Sequence, residues 1–185
     1  GQNPPDGAIV NYYLKTAATG PVTLEILDGA GKLVRKYSSD DPLERPIVGR
    51  NIPDYWIRPP QVLSAAAGLH RFTWDVRYAP PAVTEFEYPI SAIFRNTPRE
   101  PRGVFVMPGV YAVKLTVSGR SFRRLLTVKM DPRVKTPLAA LQLQFALSMQ
   151  MYDGVLAAQM AVEQLRALRT QLDAVAGKAA DAAVT

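Results

Sequence analysis

The side chains best suited to chemistry in this sequence are His70, the carboxylates Asp75, Glu85 and Glu87, and the phenol of Tyr111. A histidine acting as acid or base needs a nucleophile or an orienting partner. His70 is the only histidine, there is no cysteine, and no serine stands in a Gly-x-Ser-x-Gly turn. It therefore reads as a strand residue with a structural or exposed place. A glycosidase pair needs two carboxyl groups about 5–9.5 Å apart across a sugar. Glu85 and Glu87 share a side if their segment is extended, but so do most solvated pairs. Tyr111 lies in Pro108-Gly109-Val110-Tyr111, at the opening of a strand. A tyrosine there packs and bonds backbone at a sheet crossover, which is preferred to a catalytic phenol. Zero Cys and one His exclude thiolate–zinc sites, iron–sulfur clusters and multi-histidine metal sites. No cofactor, metal or catalytic set is expected.

Two other constellations are candidates for binding. Arg95, Arg99, Arg102, Arg120, Arg123 and Arg124 could meet phosphates, and the pI is near 9.7. No helix-turn-helix, RNA-recognition or zinc-finger pattern accompanies them. A solvated basic face, or ion pairs with another domain, is the simpler reading, and no nucleic-acid partner is expected. Tyr55, Trp56, Tyr78, Phe86 and Tyr88 crowd two proline-rich stretches. They suit a platform for sugar rings or the core of a protein interface. The prolines favour the interface, because a stiff loop loses little entropy on docking.

These side chains must be positioned by a chain of 185 residues, 48% hydrophobic and 21% charged, which is ample for a packed core and excludes wholesale disorder. Composition divides it near residue 135. All 16 prolines lie at or before Pro137, and ten of the 12 glycines at or before Gly119. Charge divides likewise: residues 1–135 carry 19 basic and 12 acidic side chains, 136–185 carry 3 and 4.

The front part, 1–135, reads as six strands. Ala8–Lys15 is aromatic and β-branched, and Val22–Leu27 alternates. Asp28-Gly29-Ala30-Gly31 turns the chain into Lys32–Tyr37. Leu69–Tyr78 alternates, placing Phe72, Trp74 and Val76 on one side. Val110–Val117 and Ser121–Met130 flank a second hairpin at Ser118-Gly119-Arg120. This count and spacing predict a mainly β fold, an immunoglobulin or fibronectin-III-like β-sandwich, with Phe72, Trp74, Tyr111 and Leu115 in its core. Two long excursions, 38–68 and 78–108, carry the aromatic candidates, and Ile90–Phe94 could be an edge strand within the second.

The rear part, 136–185, reads as a long amphipathic helix. Thr136-Pro137 is a start signal. Leu138, Leu141, Phe145, Met149, Tyr152, Leu156 and Met160 recur at helical steps, and Leu165, Leu168, Leu172 and Val175 continue the series as one face. From Pro137 to Val175 such a helix measures roughly 58 Å. Gly177 is the expected stop, with the Ala-rich end starting a returning helix that the sequence cuts short. A seam this long calls for another helix, so self-association is one expectation. There is no apolar run long enough to cross a membrane. The opening Gly1-Gln2-Asn3-Pro4-Pro5 has no initiator Met and reads as a cut end, so the lack of a leader says little about compartment.

Several stretches together carry a resemblance: Val22–Leu27 with its Asp-Gly-Ala-Gly turn, Gly68–Tyr78 (GLHRFTWDVRY), Pro108–Leu115 (PGVYAVKL), Val128–Arg133 (VKMDPR) and the long helix. Over about residues 8–175 the chain resembles the C-terminal region of large bacterial exported proteins with sortilin-like or neuraminidase-repeat β-propellers, often labelled glycosyl hydrolase-like. The Phe-x-Trp-Asp strand is also similar to immunoglobulin-like domains of the flagellar-hook-capping type. The resemblance implies a periplasmic or extracellular protein in which any hydrolase activity belongs to the propeller, so no catalytic residue carries over. It implies an accessory module packing on or orienting an N-terminal β-propeller or another subunit. The alternatives are a carbohydrate-binding module using the same aromatics on a polysaccharide, and a glycan-acting enzyme.

Overall fold

The structure is a computed structural model that describes residues 7–42, 61–82 and 102–184, with backbone alone for 177–184. Six strands and one helix follow in order: β1 (Ala8–Leu14), β2 (Thr23–Leu27), β3 (Leu33–Ser38), β4 (Gly68–Trp74), β5 (Gly109–Val117), β6 (Arg120–Val128) and α1 (Leu138–Val184). The strands form two antiparallel sheets, β1–β4 and β3–β2–β5–β6. The described residues divide into two compact units: all six strands, ending at Thr136, and a second unit containing α1.

Alternation builds the core. In β1, Tyr12 and Leu14 are buried while Tyr13 between them is out; in β4, Phe72 and Trp74 are buried and Arg71 is out. From the larger sheet come Leu24 and Ile26 of β2, Val34 of β3 and Tyr111 of β5, joined by Val22, Leu63 and Val106 from connecting segments. Leu115, expected in the core, is half-buried and packs against this cluster. Trp74, Leu24, Ile26 and Val22 are wholly enclosed.

Turn chemistry sets the register. Asp28 Oδ1 accepts from the N–H groups of Ala30 and Lys32 at 3.0 and 2.8 Å, and Gly31 takes φ 83°. On one side of this turn the β2–β3 register shifts between Ile26 and Leu27, so Ile26 faces Arg35 while Leu27 faces Leu33. Val34 is the extra residue, a β-bulge that turns it inward. Ser118 and Gly119, at φ 47° and 79°, make the two-residue turn between β5 and β6; positive φ at both sites matches the twist of the strands.

Strand β4 ends earlier than alternation suggests. Its ladder stops at Trp74, and Val76, expected to continue the inward face within the strand, takes φ 53°. A β-branched residue in this left-handed region is strained. The bend brings the Arg77 carbonyl under the indole, where Trp74 Nε1 donates to it at 2.9 Å.

The helix departs from expectation in two ways. It runs through Gly177 to Val184, 47 residues, rather than stopping and returning. Near that end its neighbours are mostly alanine, the best helix former, so one interior glycine costs only about 1 kcal/mol. Second, the apolar series is not one face. From Leu156 to Leu165 is nine residues at about 100° each, two and a half turns, so the later leucines lie opposite the earlier ones. The half-buried side chains Leu141, Phe145, Met149, Tyr152 and Leu156 keep one stripe, while Leu165, Leu168, Leu172 and Val175 are exposed. No helix among the described residues is long and apolar enough to cross a membrane.

Candidate interaction surface

Of the aromatic set, Tyr55, Trp56, Phe86 and Tyr88 lie outside the described residues, as do Glu85, Glu87, Arg95, Arg99 and the segment Ile90–Phe94. Tyr78 is described. It is half-buried against the core cluster, and burial followed by the nearby Asp28 carboxylate raises its phenol pKa.

What the structure defines best is how the two excursions are rooted. The second leaves after Trp74 and returns before β5. Val106 N–H donates to Val76 O at 3.0 Å, Arg77 and Phe105 form an isolated antiparallel bridge, and the Arg77 guanidinium lies 3.3 Å over the Phe105 ring. Tyr111 closes the same root. Its hydroxyl donates to Met107 O, four residues earlier, at 2.7 Å, and its ring meets Trp74 edge-on at 5.8 Å. Burial, then Tyr78 and Asp28, raises its pKa. This phenol is thus used in backbone bonding.

The first excursion returns through Leu63 and Ser64. Tyr12 Oη donates to Ser64 O at 2.8 Å and accepts from Ser64 N at 2.7 Å; Ala18 N–H bonds Ala65 O at 2.8 Å. His70 packs its ring 5.1 Å from Tyr12 and bonds Ala66 O through Nε2 at 2.7 Å. Burial raises the Tyr12 pKa, opposed by its bond with Ser64. Departure of the same excursion is fixed by Ser39, which exchanges bonds with Val22, and by Asp41, which accepts from Ser38 N–H.

Asp75 is exposed and accepts from Arg77 N–H at 3.3 Å. Among the described residues no three His, Asp or Glu side chains gather where a metal could sit. Arg120, Arg123 and Arg124 are exposed on β6, which among the described residues pairs only with β5.

One surface was not singled out from sequence. On the outer side of the β1–β4 sheet, Tyr13 stands directly across from Leu69, 68% and 75% exposed, with Ile9 at 44% along the same face. Between them Arg71 Nε donates to Asn11 Oδ1 at 3.1 Å. The signal was present in the adjacency of Tyr12 and Tyr13: in a strand one of two neighbouring tyrosines must face outward. Tyr13 and Leu69 together offer roughly 300 Å² of mainly apolar surface, at the lower end of patches used for contact, and Ile9 adds a further apolar side chain beyond the Arg71–Asn11 pair. The surface is built on paired strands rather than a loop, so it is rigid before any partner arrives. No family model matches the chain, and no curated protein and no solved structure does either.

Proposed function

We propose that this chain is an accessory module of a larger exported protein: an immunoglobulin or fibronectin-III-like sandwich that supplies surface rather than chemistry and packs on or orients a β-propeller, in the periplasm or outside the cell. The observation that carries the reading is the Tyr13–Leu69 pair with Ile9, an apolar face on ordered strands. The bonding of the most reactive-looking groups supports it. His70 and Tyr111 are spent on backbone carbonyls. The resemblance of Gly68–Tyr78 and Pro108–Leu115 to propeller-associated domains supplies the partner class.

Titration of the chain against the propeller region that precedes such domains tests this. Saturable binding is expected, and it is lost in the double variant Tyr13→Asp/Leu69→Asp. Absence of binding at high micromolar concentration counts decisively against the proposal. Affinity electrophoresis in soluble polysaccharides separates the carbohydrate reading: no retardation is expected, whereas retardation abolished by Trp56→Ala would favour a glycan ligand.

A further inference from the structure

We infer that the exposed seam of α1 is the contact surface of an antiparallel pair of helices from two copies of this chain. Met151, Gly154, Ala158 and Ala161 recur at steps of three and four, and Leu165, Leu168, Leu172 and Val175 continue that spacing without a break. All eight are exposed, and they lie across the helix from the half-buried stripe of Leu141, Phe145 and Tyr152. This is the heptad spacing of a two-helix seam. With the flanking Val155 and Val162, the exposed fractions amount to roughly 700 Å² of apolar side chain per copy, close to the ~800 Å² per partner of a standard interface.

The occupant is identified by how the seam matches itself. Its first half is mostly small and its second half large. When two copies run antiparallel about a two-fold centred on Glu163, Gly154 meets Leu172 of the second copy, Ala158 meets Leu168, and Ala161 meets Leu165. Met151 meets Val175 at each end. Small and large side chains are paired in the three layers on each side of the two-fold, so the spacing between helix axes stays nearly constant. A parallel pair in register puts Gly154 and the alanines against themselves and the leucines against themselves. Its axes must then converge at one end and splay at the other.

Sedimentation velocity on the 185-residue chain, from low to a few hundred micromolar, tests the pairing. A monomer–dimer equilibrium is expected, abolished by Leu165→Glu/Leu172→Glu. Gly154→Leu guards against mere unfolding, because a Cβ there meets nothing within 4 Å in the single chain and leucine favours helix. Its helicity should hold or rise while dimerisation weakens about tenfold or more through collision with Leu172 of the second copy. The chain has no Cys, so a spin label at Asp153→Cys is unique. The two labels should be separated by roughly 30 Å along the axis, against none in a parallel pair. A chain that stays monomeric, a dimer strengthened by Gly154→Leu, or labels at parallel spacing overturns the inference.

Discussion

Replacing Tyr12 with Phe keeps the ring in the core and removes one oxygen. That oxygen makes two hydrogen bonds with one residue, accepting from Ser64 N at 2.7 Å and donating to Ser64 O at 2.8 Å. Each such bond contributes about 1 kcal/mol net, and stranding a partly buried N–H adds to the loss, so we expect Tyr12→Phe to cost about 2 kcal/mol. Tyr111→Phe is the internal standard. It removes one bond, to a carbonyl that retains other lone-pair capacity, and should cost about 1 kcal/mol. Urea denaturation followed by fluorescence measures both differences. Hydrogen exchange localises the first: amides of β5 should lose only the roughly thirtyfold of protection that about 2 kcal/mol of global destabilisation gives, while the Ser64 amide, having lost its own acceptor, should lose more than that. If Tyr12→Phe proves no costlier than Tyr111→Phe, the two-bond reasoning is wrong and the excursion is held by packing at Leu63 instead.

Tyr37 is half-buried, with its ring 4.6 Å from Phe72; burial is the main cause of a pKa pushed up to about 12, with Arg35 opposing it. A folded-state pKa above the unfolded value means the associated stability is complete below about pH 10 and is lost as pH rises through about 12, up to 2–3 kcal/mol in all. Stability measured from pH 9 upward should fall less steeply in Tyr37→Phe, and an unchanged slope would contradict this. Gly7 sits at φ 139° with the Trp74 carbonyl where a Cβ would be, so Gly7→Ala should cost about 2 kcal/mol or more. Gly20→Ala, with open space around it, should be near neutral, and equal denaturation midpoints for the two would refute the steric argument. Trp74→Ala should cost about 3–5 kcal/mol by emptying the centre of the core, read by calorimetry.

Much of the strand layout is legible in the sequence because strand periodicity and turn residues are local signals. Val22–Leu27, Asp-Gly-Ala-Gly and Ser-Gly each announce themselves within a few residues. The end of β4 is not legible, because the Val76 bend depends on a distant group, Val106 on the returning chain, as well as on the indole of Trp74 nearby in the strand. A valine with positive φ has no local signature, since local preference opposes it. Likewise the bulge at Val34 is visible only once β2 and β3 are aligned. The helix teaches the reverse lesson. Spacing of three and four is easy to see, but the step from Met160 to Leu165 breaks it, and only continuous helical geometry shows that the series changes sides there. On the β1–β4 sheet, Tyr13 and Leu69 are ordinary strand residues in the sequence until their pairing shows that nothing in the sheet covers them.

The roots of the two excursions have an engineering consequence. At Val106–Val76 and at Ala18–Ala65 the closures are main-chain bonds, indifferent to the side chains enclosed between them. Since doubling a flexible loop adds only about 0.6 kcal/mol of closure entropy, flexible residues inserted inside the Val76–Val106 clasp should carry a small thermodynamic penalty, whereas the Ala18–Ala65 clasp also encloses β2 and β3, so an exchange on that side must begin after Ser38. Libraries of recognition loops grafted there would inherit a frame that is already folded, so the domain is suited to evolving new specificities by cassette exchange.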